Sequence, residues 1–372
     1  MTARPRFIGS EIYRRSTYGA KHPLAIPRVS ATIDLARALG WLPPEAYIES
    51  PIARPDQLTR FHAPDYVAAL MAAEASGSVE PALRERYNIG RNGNPVFPEI
   101  FFRPATACGA SLLAAEMLLD AGRGIVHSPA GGTHHGRPDR ASGFCYFNDP
   151  ALAILRLLDG GLDRIAYVDL DAHHGDGVED AFLGDPRVLT VSIHEAGRWP
   201  GTGIEPVGGA GGTARNLPVP AGFNDSEMAL AVDAAILPLI RRHAPDALLI
   251  QCGCDGLADD PQSGLDLSNR AIWRAVGALK GMAPRVLVLG GGGYNPWAVA
   301  RCWAGIWGVL NGHDLDAPLP EAAEAVLRGL SWNHSRGRNP PDRWFATLAD
   351  PPRDGPVRAE LRAIVAAAAA HE

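Results

Sequence analysis

No run of about 18 uncharged apolar residues occurs in this chain, and its opening, MTARPRFIGSEIYRR, holds no apolar stretch of the kind a secretory signal needs. Neither a membrane span nor a leader is expected. Cysteine is scarce: Cys108, Cys145, Cys252, Cys254 and Cys302 are an odd number spread through 372 residues. That is far from the density of a secreted disulfide framework, so reduced thiols in a cytoplasm are expected. Positive charge is not in excess either. A formal charge of −6 and an isoelectric point near 6.1 give no basic footprint for a phosphate backbone, which argues against nucleic acid as a partner. No Ser/Gly-rich linker or internal repeat divides the chain before about residue 315. One large domain is therefore expected over 1–315, with 316–372 as an extension packed on it. VRAELRAIV and the alanines after it predict that the extension ends in a helix.

What is present is enough to bury a large core, with 46% of residues apolar and 20% charged. Five short β-branched runs, GIVHS (124–128), RIAYVDLDA (164–172), VLTVSIH (188–194), ALLIQCGCD (247–255) and VLVLGGGG (286–293), read as strands buried on both faces. Helical patterns lie between them at about 149–159, 225–243, 268–281 and 296–310, with Asp225 and Ser268 as capping-type residues. Upstream, 31–39, 65–76 and 105–121 also read as helices, and 88–98 (NIGRNGNPVFP) as a surface loop. Alternating strand and helix predicts an α/β fold, a central parallel sheet flanked by helices on both faces. Such sheets carry their chemistry at the carboxyl ends of the strands, which is where the polar residues of this chain gather.

The segment DLDAHHGDG (169–177) concentrates three aspartates and two histidines at one strand end. Burying that many ionisable groups without a compensating ion is costly. Alternation along a strand would project Asp169, Asp171 and His173 to the same side. An Asp and a His can share one divalent ion, and a catalytic zinc needs a third protein ligand, for which Asp255 is the candidate. Read alone, Asp255 fits a loop or helix cap equally well. His134 and His135 stand side by side in a glycine-lined loop, where Asp169 and Asp176 can each orient one ring. In GGGGYNPW (290–297) glycines free the backbone around Tyr294. A phenol set over a polarised carbonyl is the sharper reading of that loop; an anion cradle or a plain tight turn are the alternatives.

Taken in order, GGTHH, ASGFCYFND, YVDLDAHHGDGVEDAF, VSIH, PGTG, QCGCD and LGGGGYNPWAVARCW resemble the histone-deacetylase family, above all its class I-like and bacterial acetoin-utilisation-type members, over roughly residues 5–313. The resemblance implies a single arginase/deacetylase-like domain. It also implies one zinc ion on Asp171, His173 and Asp255, with iron(II) as an alternative in the cell. His134 and His135 would be the tandem pair backed by Asp169 and Asp176, and Tyr294 the carbonyl-polarising phenol. Gly143, Phe144 and Trp199 would wall an acyl-lysine tunnel, Gln262 would stand at its rim, and Arg28 would belong to an internal product channel. A structural potassium ion near Asp169, Ser192 and His194 is implied as well.

The implied reaction is hydrolysis of the amide of an acyl-lysine in a protein or peptide, or of an acylated amine such as an acetylpolyamine. It releases a carboxylate and the free amine. No oligomeric state is implied. The chain departs from the family pattern at GRNGNP (90–95), which offers Asn92 and Gly93 where an acidic residue is common, and at Trp199 and Gln262, where Phe and Leu or Met are common. Two other classes compete. A two-metal ureohydrolase would want carboxylates at 175 and 253, which are glycines here, and a silent acyl-lysine binder could dispense with Tyr294 and His135, which are both kept.

Overall fold

The computed structural model describes residues 4–370. Among these residues nine strands are formed: β1 (Arg6–Gly9), β2 (Tyr47–Glu49), β3 (Gly124–Ser128), β4 (Ile165–Asp169), β5 (Val188–Glu195), β6 (Val207–Gly208), β7 (Ala214–Val219), β8 (Ala247–Gln251) and β9 (Arg285–Leu289). They make one sheet in the order β2-β1-β3-β9-β8-β4-β5-β7-β6. Every pairing is parallel except β6 with β7. The α/β parallel-sheet expectation is met.

The alternation of each strand sorts its side chains into two layers. Ala166 and Val168 of β4 join Val191, Leu248, Ile250, Val286 and Val288 in one core. Its helical cover includes Ile240, Ile272, Trp303 and, from the terminal helix Ala359–Ala369, Leu361 and Val365. Ile165 and Tyr167 point the other way, with Val188, Leu249, Leu287 and Leu289, against Leu118 of the helix Phe102–Ala121 and Ile154 of Asp149–Asp159. Each fully buried aliphatic side chain contributes roughly 1.5–3 kcal/mol, so the middle strands must be apolar on both faces. A third cluster, with Tyr18, Tyr66, Phe97, Phe101, Tyr146 and Phe147, packs over the loops, and Tyr294 belongs to it.

Three local expectations are corrected. β4, β8 and β9 stop at Asp169, Gln251 and Leu289, short of the runs 164–172, 247–255 and 286–293. In the polar and glycine-rich tails of those runs, the amides of Asp171, Ala172 and Gly292 donate to the carboxylates of Asp169, Asp255 and Asp171. Asp225 does not cap its helix: Asn224 does, in a capping box with Glu227, and Asp225 is the first helical residue. Ser268 does stand at the N-cap of the helix Asn269–Leu279, with its hydroxyl donating to Asp225 Oδ2 at 2.5 Å instead of accepting from the first turn. The helical stretch over 225–243 also contains a wide turn at Val232–Ile236, just ahead of Pro238, which has no N–H to donate.

Among the described residues no helix is long and apolar enough to cross a membrane. The carboxyl ends of β3, β4, β8 and β9 run into the loops that carry His134 and His135, Asp171 and His173, Asp255, and Tyr294 respectively.

Candidate active site

Beyond Asp169 the chain has left β4, so strand alternation does not place Asp171 and His173; hydrogen bonding does. The Leu170 amide donates to the Gln251 carbonyl (3.0 Å), the Asp171 amide to Asp169 Oδ1 (3.1 Å) and the Ala172 amide to Asp255 Oδ1 (2.9 Å). These bonds pull two strand tips together. His173 Nδ1 then lies 3.2 Å from Asp171 Oδ1 and 3.0 Å from Asp255 Oδ2. Among the described residues, these three form the one group whose donor atoms, all within 4.8 Å of one another, could hold a metal ion.

The surroundings fit a divalent cation. Asp171 Oδ2 is held by the Gly292 amide (2.7 Å) and Gln251 Nε2 (2.9 Å), which leaves Oδ1 for the site. A Cβ at position 253 would overlap Asp171 Oδ2, and one at 292 would overlap Asp255 Oδ2, so glycine is required at both. Burial disfavours a charged ring at His173, yet Asp255 and Asp171 outweigh it and draw the imidazole up to about 10. Two buried carboxylates thus demand a nearby cation, and a metal ion meets that demand with more charge than a proton. Neither Gly175 nor Gly253 supplies the carboxylates a second ion would want.

The histidine pair is set by two carboxylates. His134 Nδ1 is 2.7 Å from Asp169 Oδ2, and His135 Nδ1 is 2.7 Å from Asp176 Oδ1. Asp169 also accepts from the Tyr167 hydroxyl (2.7 Å), and Asp176 pairs with Arg137. The two rings are driven apart in proton affinity. Burial opposes the charged form of His134, but Asp169 and Asp171 prevail and raise it to about 9. For His135, burial and the adjacent His134 charge act together and bring it down to about 3, against the pull of Asp176. Beside this pair, Asp169 stands in register with Ser192, whose hydroxyl is 2.9 Å from His194 Nδ1; His194 Nε2 in turn approaches the Gly203 carbonyl at 3.0 Å.

A pocket of about 540 Å³ opens on the site, lined among others by His135, Gly143, Phe144, His173, Trp199 and Gln262. Gly143 and Phe144 both have positive φ, 53° and 67°, and Ser142 and Cys145 close the turn by exchanging backbone bonds. This two-residue reversal needs glycine at 143, where a Cβ would strike the His135 and Trp199 rings. Phe144 accepts the strained conformation, held by its amide donating to Asn94 Oδ1 (2.9 Å). Trp199 is half exposed at the mouth and meets His135 edge-on at 4.6 Å. Asn92 bonds Asn88 (2.9 Å), so amides stand where a carboxylate was absent from the sequence. Tyr294, 8% exposed, lies 6.1 Å from the Phe144 ring. A second cavity of about 50 Å³ is lined by Arg28, Tyr18 and Leu24 as well as Tyr294, the histidine pair and the three candidate ligands. Arg28 Nη1 donates to the Gly291 carbonyl at 2.6 Å.

Of the residues named from the sequence, His134, His135, Asp171, His173, Asp255, Tyr294, Gly143, Phe144, Trp199, Gln262 and Arg28 line these two cavities, Asp169 and Asp176 back the histidine pair, and Ser192 and His194 lie outside the lining, beside Asp169. Sequence reasoning missed Gln251, which touches Asp171, and Arg137, which touches Asp176. It also missed Glu195 and Arg198, which tie the Trp199 loop to the Gly264 amide and the Gln262 carbonyl. A polar Gln at the end of an otherwise apolar strand was the available signal for Gln251.

A family model for the histone deacetylase domain matches residues 22–310. The chain is 38% identical over 311 residues to histone deacetylase 2 of Oryza sativa subsp. japonica, covering 82% of this chain and 60% of that protein. It is 32% identical over 299 residues to histone deacetylase 8 of Xenopus tropicalis, covering 79% of this chain and 80% of that one. The chain thus spans about 60% of the length of the first relatives it matches. Among solved structures, an HDAC homologue from Aquifex aeolicus superposes with a TM-score of 0.92 at 35% identity, covering 99% of this chain and all (100%) of its own. An HDAC homologue complexed with SAHA gives 0.93 at 36% identity, with the same coverage.

Proposed function

Because this chain belongs to the histone deacetylase family, we propose that it is a metal-dependent amidohydrolase that removes the acyl group from an acylated lysine in a protein or peptide, or from an acylated amine. The observation that carries the reading is the convergence of Asp171, His173 and Asp255 at the floor of a pocket that also holds Tyr294 and the histidine pair. These three would hold one zinc ion, with iron(II) as the alternative in the cell. When bound, the ion supplies the Lewis acidity that polarises the amide carbonyl and acidifies the attacking water.

The protein's own groups do the rest. His135, kept neutral and with Nδ1 committed to Asp176, takes the water proton on Nε2. The Tyr294 hydroxyl donates to the oxyanion as it develops. The histidine pair then returns a proton to the leaving nitrogen. Phe144 and Trp199, spaced by Gly143, hold the methylene chain of a neutral acyl-lysine, whereas the ammonium of the product would have to shed its water there. Gln262 faces the acyl-lysine at the rim, and Arg28 attracts the released carboxylate into the second cavity. A potassium ion bound near Asp169, Ser192 and His194 would steady the Asp169 end of β4. We assign 1–315 to the catalytic domain and 316–372 to an extension docked on it, and place the protein in the cytoplasm, where five buried free thiols are at home.

The test is a panel of acetyl-lysine amides, longer acyl-lysines and acetylpolyamines. We expect turnover of at least one class, blocked by SAHA and by a chelator. No turnover across the panel, with SAHA still bound, would make the protein a binder instead.

A further inference from the structure

The loop that bears Tyr294 has little stiffness of its own. It runs through Gly290–Gly293, with φ of 149° at Gly291 and 133° at Gly293, and glycine gives up the most freedom when fixed. Something outside the loop must therefore set the phenol, and Asp260 is the nearest hold: its Oδ2 accepts the Tyr294 amide at 2.6 Å and its Oδ1 the Gln262 amide at 2.9 Å. Asp260 lies on the short stretch that begins with Asp255. That stretch is gripped in turn by the C-terminal segment. Arg343 forks onto Asp259, with Nη1 to Oδ2 at 2.7 Å and Nη2 to Oδ1 at 2.9 Å. Trp344 Nε1 donates to the same Oδ2 at 2.7 Å, and Arg336 Nη1 donates to the Asp260 carbonyl at 3.0 Å.

The grip continues on the far side of the tyrosine. Asn295 Nδ2 donates to the Asp259 carbonyl (3.2 Å), while its Oδ1 caps the helix Pro296–Asn311. Trp344, only 3% exposed, stacks on Trp297 in the first turn of that helix, with ring centres 5.1 Å apart. Both flanks of Tyr294 are thus tied to residues that lie past 310, where the family model ends.

We propose that the segment Arg336–Trp344 is a positioning brace for the Tyr294 hydroxyl, acting through Asp259 and Asp260. The proposal rests on reading Tyr294 as the oxyanion donor. A displacement of about 1 Å at a reacting group can lower turnover as much as 100-fold, so loss of the brace acts on kcat.

Arg343→Ala, Asp259→Ala and the double variant are compared with wild type as metal-loaded enzyme, for kcat, KM, bound metal and amide exchange of peptides over 255–264 and 290–296. The brace predicts a kcat loss of about 10- to 100-fold in each single variant. It also predicts no further loss in the double variant, KM and metal content within about twofold, and faster exchange at the Tyr294 amide. In a Tyr294→Phe background, Arg343→Ala should then cost nothing more, since the group being positioned is gone. Unchanged kcat and exchange, or an equal loss in the Tyr294→Phe background, overturns the brace. If Arg343→Ala does not fold, Arg343→Lys, which keeps the charge but not the fork, decides by the same signs. If wild type turns over no acyl substrate, the proposed function fails, and the exchange data alone decide the brace.

Discussion

At the scale of single residues, the chemistry depends on which groups keep their protons. Burial, reinforced by Asp255 and Asp171, holds the Tyr294 phenol well above its ordinary range, so it stays a donor at neutral pH. Replacing it with Phe would remove the proposed oxyanion donor and little else. Tyr294→Phe is expected to lower kcat about 10²–10³-fold, equivalent to about 2.7–4 kcal/mol of barrier, with KM and bound metal nearly unchanged in steady-state kinetics and metal analysis. An effect on KM alone would assign the phenol to substrate binding. The candidate metal ligands Asp171 and His173 were legible because DLDAHHGDG states its chemistry in local density. Asp255 was legible only beside it, since a lone Asp at a strand end has many uses. Asp259 could not be read at all: the fork that gives it a role comes from Arg343, 84 residues away along the chain.

At the scale of elements, hydrophobic runs announced β3, β4, β5, β8 and β9, because strands buried on both faces leave a continuous apolar trace. β1 and β2 escaped notice, being four and three residues long at one edge of the sheet. β7 was hidden for another reason. Its sequence ARNLPV carries Arg215, Asn216 and Pro218, because Arg215 reaches the carbonyls of Ala368 and Ala370 and Asn216 reaches Glu179. A strand whose polar side chains reach distant partners looks like a loop.

The same tail docking yields a pH prediction. Glu227, fully buried, receives Nε and Nη2 of Arg358 at 2.8 and 2.6 Å, and the Arg358 amide at 3.0 Å. Burial works against its carboxylate, but the Arg358 bonds prevail and its pKa is lowered. A depressed carboxylate stabilises the fold above its unfolded pKa of about 4.3, and that contribution is lost as pH falls through the folded value. Glu227→Gln is therefore expected to cost about 1.5–3 kcal/mol at pH 7, read as a lower Tm, with the gap from wild type closing below about pH 4. A gap independent of pH would mean that packing, not charge, docks the tail.

At the scale of the whole molecule, nine strands and their helices serve to bring the tips of β4 and β8 together at one end of the sheet. The fold class could be read from alternation of strand and helix, because that alternation is what a parallel sheet requires. The way residues beyond 310 grip the Asp259–Asp260 stretch could not, since it depends on contacts between segments far apart in sequence. The most direct test is a metal titration of the stripped protein against turnover of a responsive acyl-lysine amide. Activity should rise with added zinc and break at one ion per chain, and Asp255→Asn should abolish the rise. A break at two ions per chain, or full activity in the stripped protein, would contradict a single catalytic cation held by Asp171, His173 and Asp255.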